Sequence, residues 1–112
     1  MSDVRLPAHV EASSILRRLE SSGDFGTVLR KGDPDRGSLL LIITSRGTQV
    51  AILERVLDPS GNYAWQSTAR DSQNADVPAF LAKRARFDED FWALELDIAD
   101  PERFIAETIA SG

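Results

Sequence analysis

The stretch Lys31 to Ile43, KGDPDRGSLLLII, decides how the chain is read. Gly32 and Gly37 enclose two aspartates, a proline and an arginine, and five large aliphatics follow. The glycine spacing matches the phosphate-binding loop G-x-x-x-x-G-K-[ST], but Ser38 stands in place of the lysine and Leu39 in place of the magnesium-binding hydroxyl. The segment that follows has no helical period, so no helix N-terminus points at a phosphate. Asp33 and Asp35 are spaced like the first ligands of a calcium loop. However, Gly37 comes one position early and no bidentate glutamate follows. The preferred reading is a surface turn, with Pro34 fixing a corner, aspartates bonding local backbone and glycines taking unusual dihedrals. The turn feeds Leu39 to Ser45, whose unbroken apolar run predicts a strand buried on both faces at the centre of a sheet.

Outward from that strand, Ser45, Arg46 and Gly47 read as a tight hairpin turn into a strand over Thr48 to Leu57. Asp58, Pro59, Ser60 and Gly61 make a second turn, and Asn62 to Arg70 alternates cleanly, with Tyr63, Trp65 and Ala69 opposed to Ala64, Gln66, Thr68 and Arg70. Toward the N-terminus, Phe25 to Lys31 reads as a short strand. Ahead of it, Ala12, Ile15, Leu16 and Leu19 follow the helical i, i+3, i+4, i+7 rule over Ala8 to Ser22, entered at Pro7 and stopped at Gly23. On the C-terminal side, Asp76 and Pro78 start a helix running to about Phe87, with Val77, Phe80, Leu81 and Ala85 as its apolar face. Phe91 to Ile98 is a fifth strand, with Trp92, Leu94, Leu96 and Ile98 opposed to Ala93, Glu95 and Asp97. Asp100 and Pro101 open a last helix with Phe104, Ile105 and Ile109 as its stripe. The expected fold is therefore α+β, a mainly antiparallel five-stranded sheet with helices packed mostly on one face, as a single domain over residues 1–112.

Composition supports one foldable unit and removes several functions. With 112 residues, of which 42% are hydrophobic and 28% charged, the chain has enough apolar surface for one core. It has no cysteine, which excludes disulfides, thiolate metal sites and cysteine nucleophiles. No apolar run approaches the ~20 residues that span a bilayer, and the N-terminal MSDVRLPAH lacks an apolar signal core, so a cytoplasmic location is expected. The net charge is −5. Residues 1–70 carry nine basic and eight acidic side chains and residues 71–112 four and ten, an acidic bias that disfavours general nucleic-acid binding.

The remaining motifs read as structural. The DFG triplet at Asp24 to Gly26 lacks the rest of a kinase signature. Asp88, Glu89 and Asp90 read as a solvated connection. His9 is the only histidine, and Ser13 and Ser14 near it are not in a nucleophile elbow, so no triad is expected. No catalytic residue, metal or cofactor is assigned, which leaves enzyme activity without positive support. Arginines are the other lead. Arg55 and Arg70 are expected to share an exposed sheet face with Glu95 and Asp97, and together with Arg30 and Lys31 they could grip a carboxylate or phosphate. Trp65 and Trp92 read as core, with the alternative that either anchors a partner from a sheet margin.

Three stretches carry a resemblance: SSILRRLESSGDFGTVLRKGDPDRGSLLLII, then ERVLDPSG with a tryptophan shortly after, then FLAKRARFDEDFWALEL. Together they resemble a small family of uncharacterised bacterial proteins, domain of unknown function 1491, over roughly Leu6 to Ile105. That resemblance implies a single-domain bacterial cytoplasmic protein and brings no activity and no site residue. The leading expectation is a non-enzymatic interaction module, binding itself or another protein through a sheet edge or an apolar margin. The alternative is a small-anion or nucleotide-like ligand domain that uses the arginines.

Overall fold

The chain alternates its apolar residues so that one sheet can be covered on both faces, and the computed structural model, which describes residues 6–57, 59–67 and 76–110, shows that arrangement. In chain order the elements are α1 (Ala8–Ser21), β1 (Phe25–Arg30), β2 (Leu39–Ser45), β3 (Thr48–Leu57), β4 (Tyr63–Ser67), α2 (Val77–Ala85), β5 (Trp92–Asp97) and α3 (Pro101–Ala110). The five strands form one sheet in the order β1-β5-β2-β3-β4. Most neighbours are antiparallel, as expected, but β5 inserts between β1 and β2 and runs parallel to β2, with Leu41 beside Leu94 and Ile43 beside Leu96. The parallel pair follows from the return of the chain through α2, because a helical crossover brings a strand back in the direction in which it left.

The central position of β2 explains its unbroken apolar run. Leu39, Leu41 and Ile43 join Leu94, Leu96, Trp92 and Trp65 on one face, where Ala12, Ile15 and Leu19 of α1 and Phe104 and Ile105 of α3 cover them. Leu40 and Ile42 join Ile52, Phe91 and Ala93 on the other face, under Val77, Phe80, Leu81 and Ala85 of α2. Each fully buried leucine, isoleucine or phenylalanine among them stabilises the fold by roughly 1.5–3 kcal/mol. Two helices thus lie on one face and one on the other.

Local signals set the element ends. Gly23 has φ +84°, and its N–H reaches the Glu20 carbonyl while the Asp24 N–H reaches Leu19, which closes α1 in the two-bond pattern that favours glycine. Asp76 accepts the Ala79 N–H at 3.1 Å and caps α2, and Asp100 accepts the Arg103 N–H at 3.3 Å at the start of α3. Arg46 and Gly47 both have positive φ, as a two-residue hairpin between right-twisted strands requires. The β2–β3 ladder shifts register between Ile43 and Thr44, where Ala51 and Gln49 are the successive partners. The extra residue, Val50, packs with the α1/α3 face, as Ala51 does, whereas Ile52 lies on the α2 face, so the two-residue period that would put Val50 and Ile52 on one face breaks at this bulge.

Candidate functional site

The opening loop is a clamp between three parts of the chain. Asp33 Oδ1 accepts the backbone N–H groups of Asp35 at 2.9 Å and Arg36 at 2.8 Å, the local turn expected of aspartate. The Arg36 bond first, and the Asp35 bond second, hold the Asp33 carboxyl below its ordinary value. The Asp33 N–H donates to the Asp90 carbonyl at 3.0 Å, and Trp92 Nε1 donates to the Asp33 carbonyl at 2.7 Å. At the other side, the N–H groups of Ala8 and His9 at the start of α1 donate to Asp35 and Pro34, and His9 Nδ1 lies 2.9 Å from the Pro34 oxygen. Neither Gly32 nor Gly37 has positive φ. They are needed because the Asp90–Trp92 backbone and indole come so close that a Cβ at either position would overlap them. The expectation of unusual dihedrals is replaced by close approach.

The arginines are dispersed. Arg55 pairs through both of its terminal nitrogens with Glu11 of α1, with 12% and 17% of the two side chains exposed, and its guanidinium stacks 5.1 Å from the centre of the Trp65 ring. It therefore lies on the α1/α3 face, whereas Glu95, opposite Thr27 and beside Ile42, lies on the α2 face. The expected shared face of Arg55 with Glu95 and Asp97 is corrected accordingly. Arg30 is on the α2 side, 4.7 Å from the centre of the Phe91 ring, and donates from Nη2 to the Glu89 carbonyl at 2.7 Å; its Nε is buried without a partner. Lys31 is exposed, and Arg70 lies outside the described residues. Arg30 and Arg55 are thus not brought together.

Trp65 and Trp92 keep only 8% and 4% of their surface exposed. Trp65 forms part of the floor of a cleft of about 250 Å³ between α1 and α3, with Leu41 below and Arg18, Asp24 and Glu107 at the rim. Among the described residues no group of three or more histidine, aspartate or glutamate side chains is placed to hold a metal ion. No described helix is long and apolar enough to cross a membrane.

Exposed apolar surface gathers on β1. Among the described residues this strand is at the edge of the sheet and pairs with β5 alone. Phe25 is 73% exposed, Leu29 41% and Val28 38%, and Thr27 is exposed as well. On the α2 side Leu29 helps to line a cavity of about 440 Å³ with Ile42, Val77, Leu81 and Glu95. Edge strands that stay alone are ordinarily blunted by lysine, proline or inward charge. FGTVLR has no such residue before its final arginine. The opposite edge strand, YAWQS, buries its tryptophan and exposes Gln66 and Ser67. Sequence reading missed β1 as the open edge because strand order is a long-range property. It also missed Arg84 of α2, which pairs with Glu54 and sits 5.7 Å from the Phe91 ring centre.

Known proteins match this fold over most of its length. A family model described as "Protein of unknown function (DUF1491)" matches residues 6–106. The crystal structure of a DUF1491 family protein from Caulobacter crescentus CB15 is 28% identical, with a TM-score of 0.78 over 87% of this chain and 92% of that one. An NMR structure of a DUF1491 family protein from the same organism is 29% identical, with a TM-score of 0.77 over 88% and 91%. A solution structure of a protein from A. tumefaciens shares the fold at 19% identity, with a TM-score of 0.70 over 85% and 87%. No curated protein matches the chain. The match over residues 6–106, with the sheet and helices it encloses, assigns the chain to the DUF1491 family of proteins of unknown function.

Proposed function

We propose that the protein is a non-enzymatic interaction module that associates through the free edge of β1, with a second copy of itself or with an extended segment of another protein. The observation that carries this reading is the exposure of Phe25, Val28 and Leu29 on a strand with one unpaired side. Strand addition at such an edge supplies main-chain hydrogen bonds, and alternate side chains supply specificity. Covering Phe25 alone would contribute roughly 1.5–3 kcal/mol. The double variant Phe25→Lys/Leu29→Lys tests the reading. Lysine at 25 faces Asp97 across the ladder, so the fold is kept while the edge is blunted. Sedimentation velocity is expected to show wild-type association that the double variant abolishes; association unchanged in the variant would remove β1 from consideration.

A small-anion site has narrower support, the buried unpartnered Nε of Arg30 beside exposed Lys31. A thermal-shift titration with inorganic phosphate tests it. Saturable stabilisation lost in Arg30→Gln supports the site, and no stabilisation rejects it.

A further inference from the structure

We infer that the partner at the β1 edge is a second copy of this chain, paired antiparallel about a two-fold axis through Thr27; the inference rests on the edge-association reading above. In an antiparallel ladder, residues directly opposite share a face of the sheet. On β1, Phe25 and Thr27 stand opposite Asp97 and Glu95 on the α2 side, while Gly26 and Val28 stand opposite Leu96 and Leu94 on the α1/α3 side. The register shift between Val28 and Arg30 frees Leu29, which lies on the α2 side beside Val77 and Leu81. Residues 25, 27 and 29 therefore share one side of the free edge, and 26 and 28 the other.

Symmetry then selects the register. With the axis at Thr27, Phe25 faces Leu29 of the second copy, Gly26 faces its Val28, and Thr27 faces its own equivalent, so every pair lies on matching faces. The next pair outward, Asp24 and Arg30 of the second copy, falls beyond the bulge on opposite faces, so the matched ladder ends at Phe25 and Leu29. An axis between two residues would set Thr27 against Val28 and join opposite faces. An axis at Gly26 would set Val28 against an aspartate, and an axis at Val28 would set Gly26 against Arg30, on opposite faces because of the bulge, and Phe25 against Lys31. Of these registers, only the one centred on Thr27 keeps Phe25 to Leu29 on matching faces and sets no apolar side chain against a charge. It also brings each Phe25 ring beside the apolar cavity that Leu29 of the other copy borders. The exposure of Thr27 and Val28 leaves both sides of the edge open to the approach.

The absence of cysteine in the chain makes the test specific. Cα atoms directly opposite in an antiparallel pair are about 4.5–5.5 Å apart, within the reach of a disulfide. Thr27→Cys is expected to form a covalent dimer under mild oxidation. Phe25→Cys, displaced from its equivalent by four residues along the strand, and Ser67→Cys, on the opposite edge, are expected to remain largely monomeric. Thr27→Cys cross-linking no faster than the other two overturns the inference. The two readings fail separately. Association that Phe25→Lys/Leu29→Lys abolishes, without the Thr27→Cys cross-link, refutes the second copy in this register and keeps the edge, whereas association that the double variant leaves intact removes both.

Discussion

Gly32→Ala is predicted to be among the most damaging single-methyl additions to this protein, for a reason unrelated to backbone dihedrals. A Cβ at position 32 would sit 2.0 Å from the Asp90 carbonyl oxygen and 2.5 Å from that of Phe91. Both atoms are backbone, so no side chain can swing aside. Moving from 2.0 Å to ordinary contact at 3.4 Å would stretch the Asp33 N–H bond to Asp90, now 3.0 Å, and displace the acceptor of Trp92 Nε1, now 2.7 Å away. Overpacking costs roughly 1–3 kcal/mol, and a buried indole N–H left without a partner costs roughly 1–3 kcal/mol more. The expected total is about 3 kcal/mol, or about 12 °C in Tm for a domain of this size. Gly61→Ala is the control. Its φ is +90° and nothing lies within 4 Å of its Cβ, so only dihedral strain of roughly 1–2 kcal/mol applies. Thermal and urea melts of the two variants decide the matter. Gly32→Ala melting no lower than Gly61→Ala would refute the close-approach account of the loop.

Three further outcomes follow from single contacts. Glu11→Gln leaves the Arg55 guanidinium without its carboxylate, and urea unfolding is expected to show a loss of about 2 kcal/mol. That is below the roughly 3–5 kcal/mol of a fully buried pair, because both side chains keep some exposure. Asp76→Ala removes the cap of α2 and should lower stability by about 1 kcal/mol, read in the same assay. The Asp33 carboxyl should titrate by NMR with a midpoint below 3.8. Because its folded value lies below its unfolded one, the stability tied to it is fully present above the unfolded value and is lost as pH falls through the folded one. Acid unfolding of Asp33→Asn should therefore be less steep than that of wild type below about pH 4; identical slopes would contradict the backbone bonds to Asp33.

Local pattern made the elements legible, and long-range pairing hid the site. The alternation over Phe91 to Ile98 placed Trp92, Leu94 and Leu96 on the face they occupy and Ala93 on the other. The aliphatic run of Leu39 to Ile43 marked the central strand because only a strand covered on both faces buries consecutive residues. Asp76, Asp100 and Gly23 announced helix ends through groups that act within a few residues. By contrast, Arg55 meets Glu11 and Arg84 meets Glu54 across separations of 44 and 30 residues, which no local period reports. Likewise, the insertion of β5 beside β2 leaves β1 at the margin. The apolar FGTVL run was visible in the chain, but its exposure depends on that strand order. Arg55 read as exposed from alternation alone because the α1 carboxylate that covers it lies in another element.

Amide hydrogen exchange across β1, followed from low micromolar to near-millimolar protein, tests the central claim most directly. If the sheet continues across this edge into a second copy, the outward-pointing amides of residues 25–30 gain protection as concentration rises. Those in β2 and β5 should not change, since they are already paired on both sides. Protection in β1 that stays low and independent of concentration would contradict association through this edge.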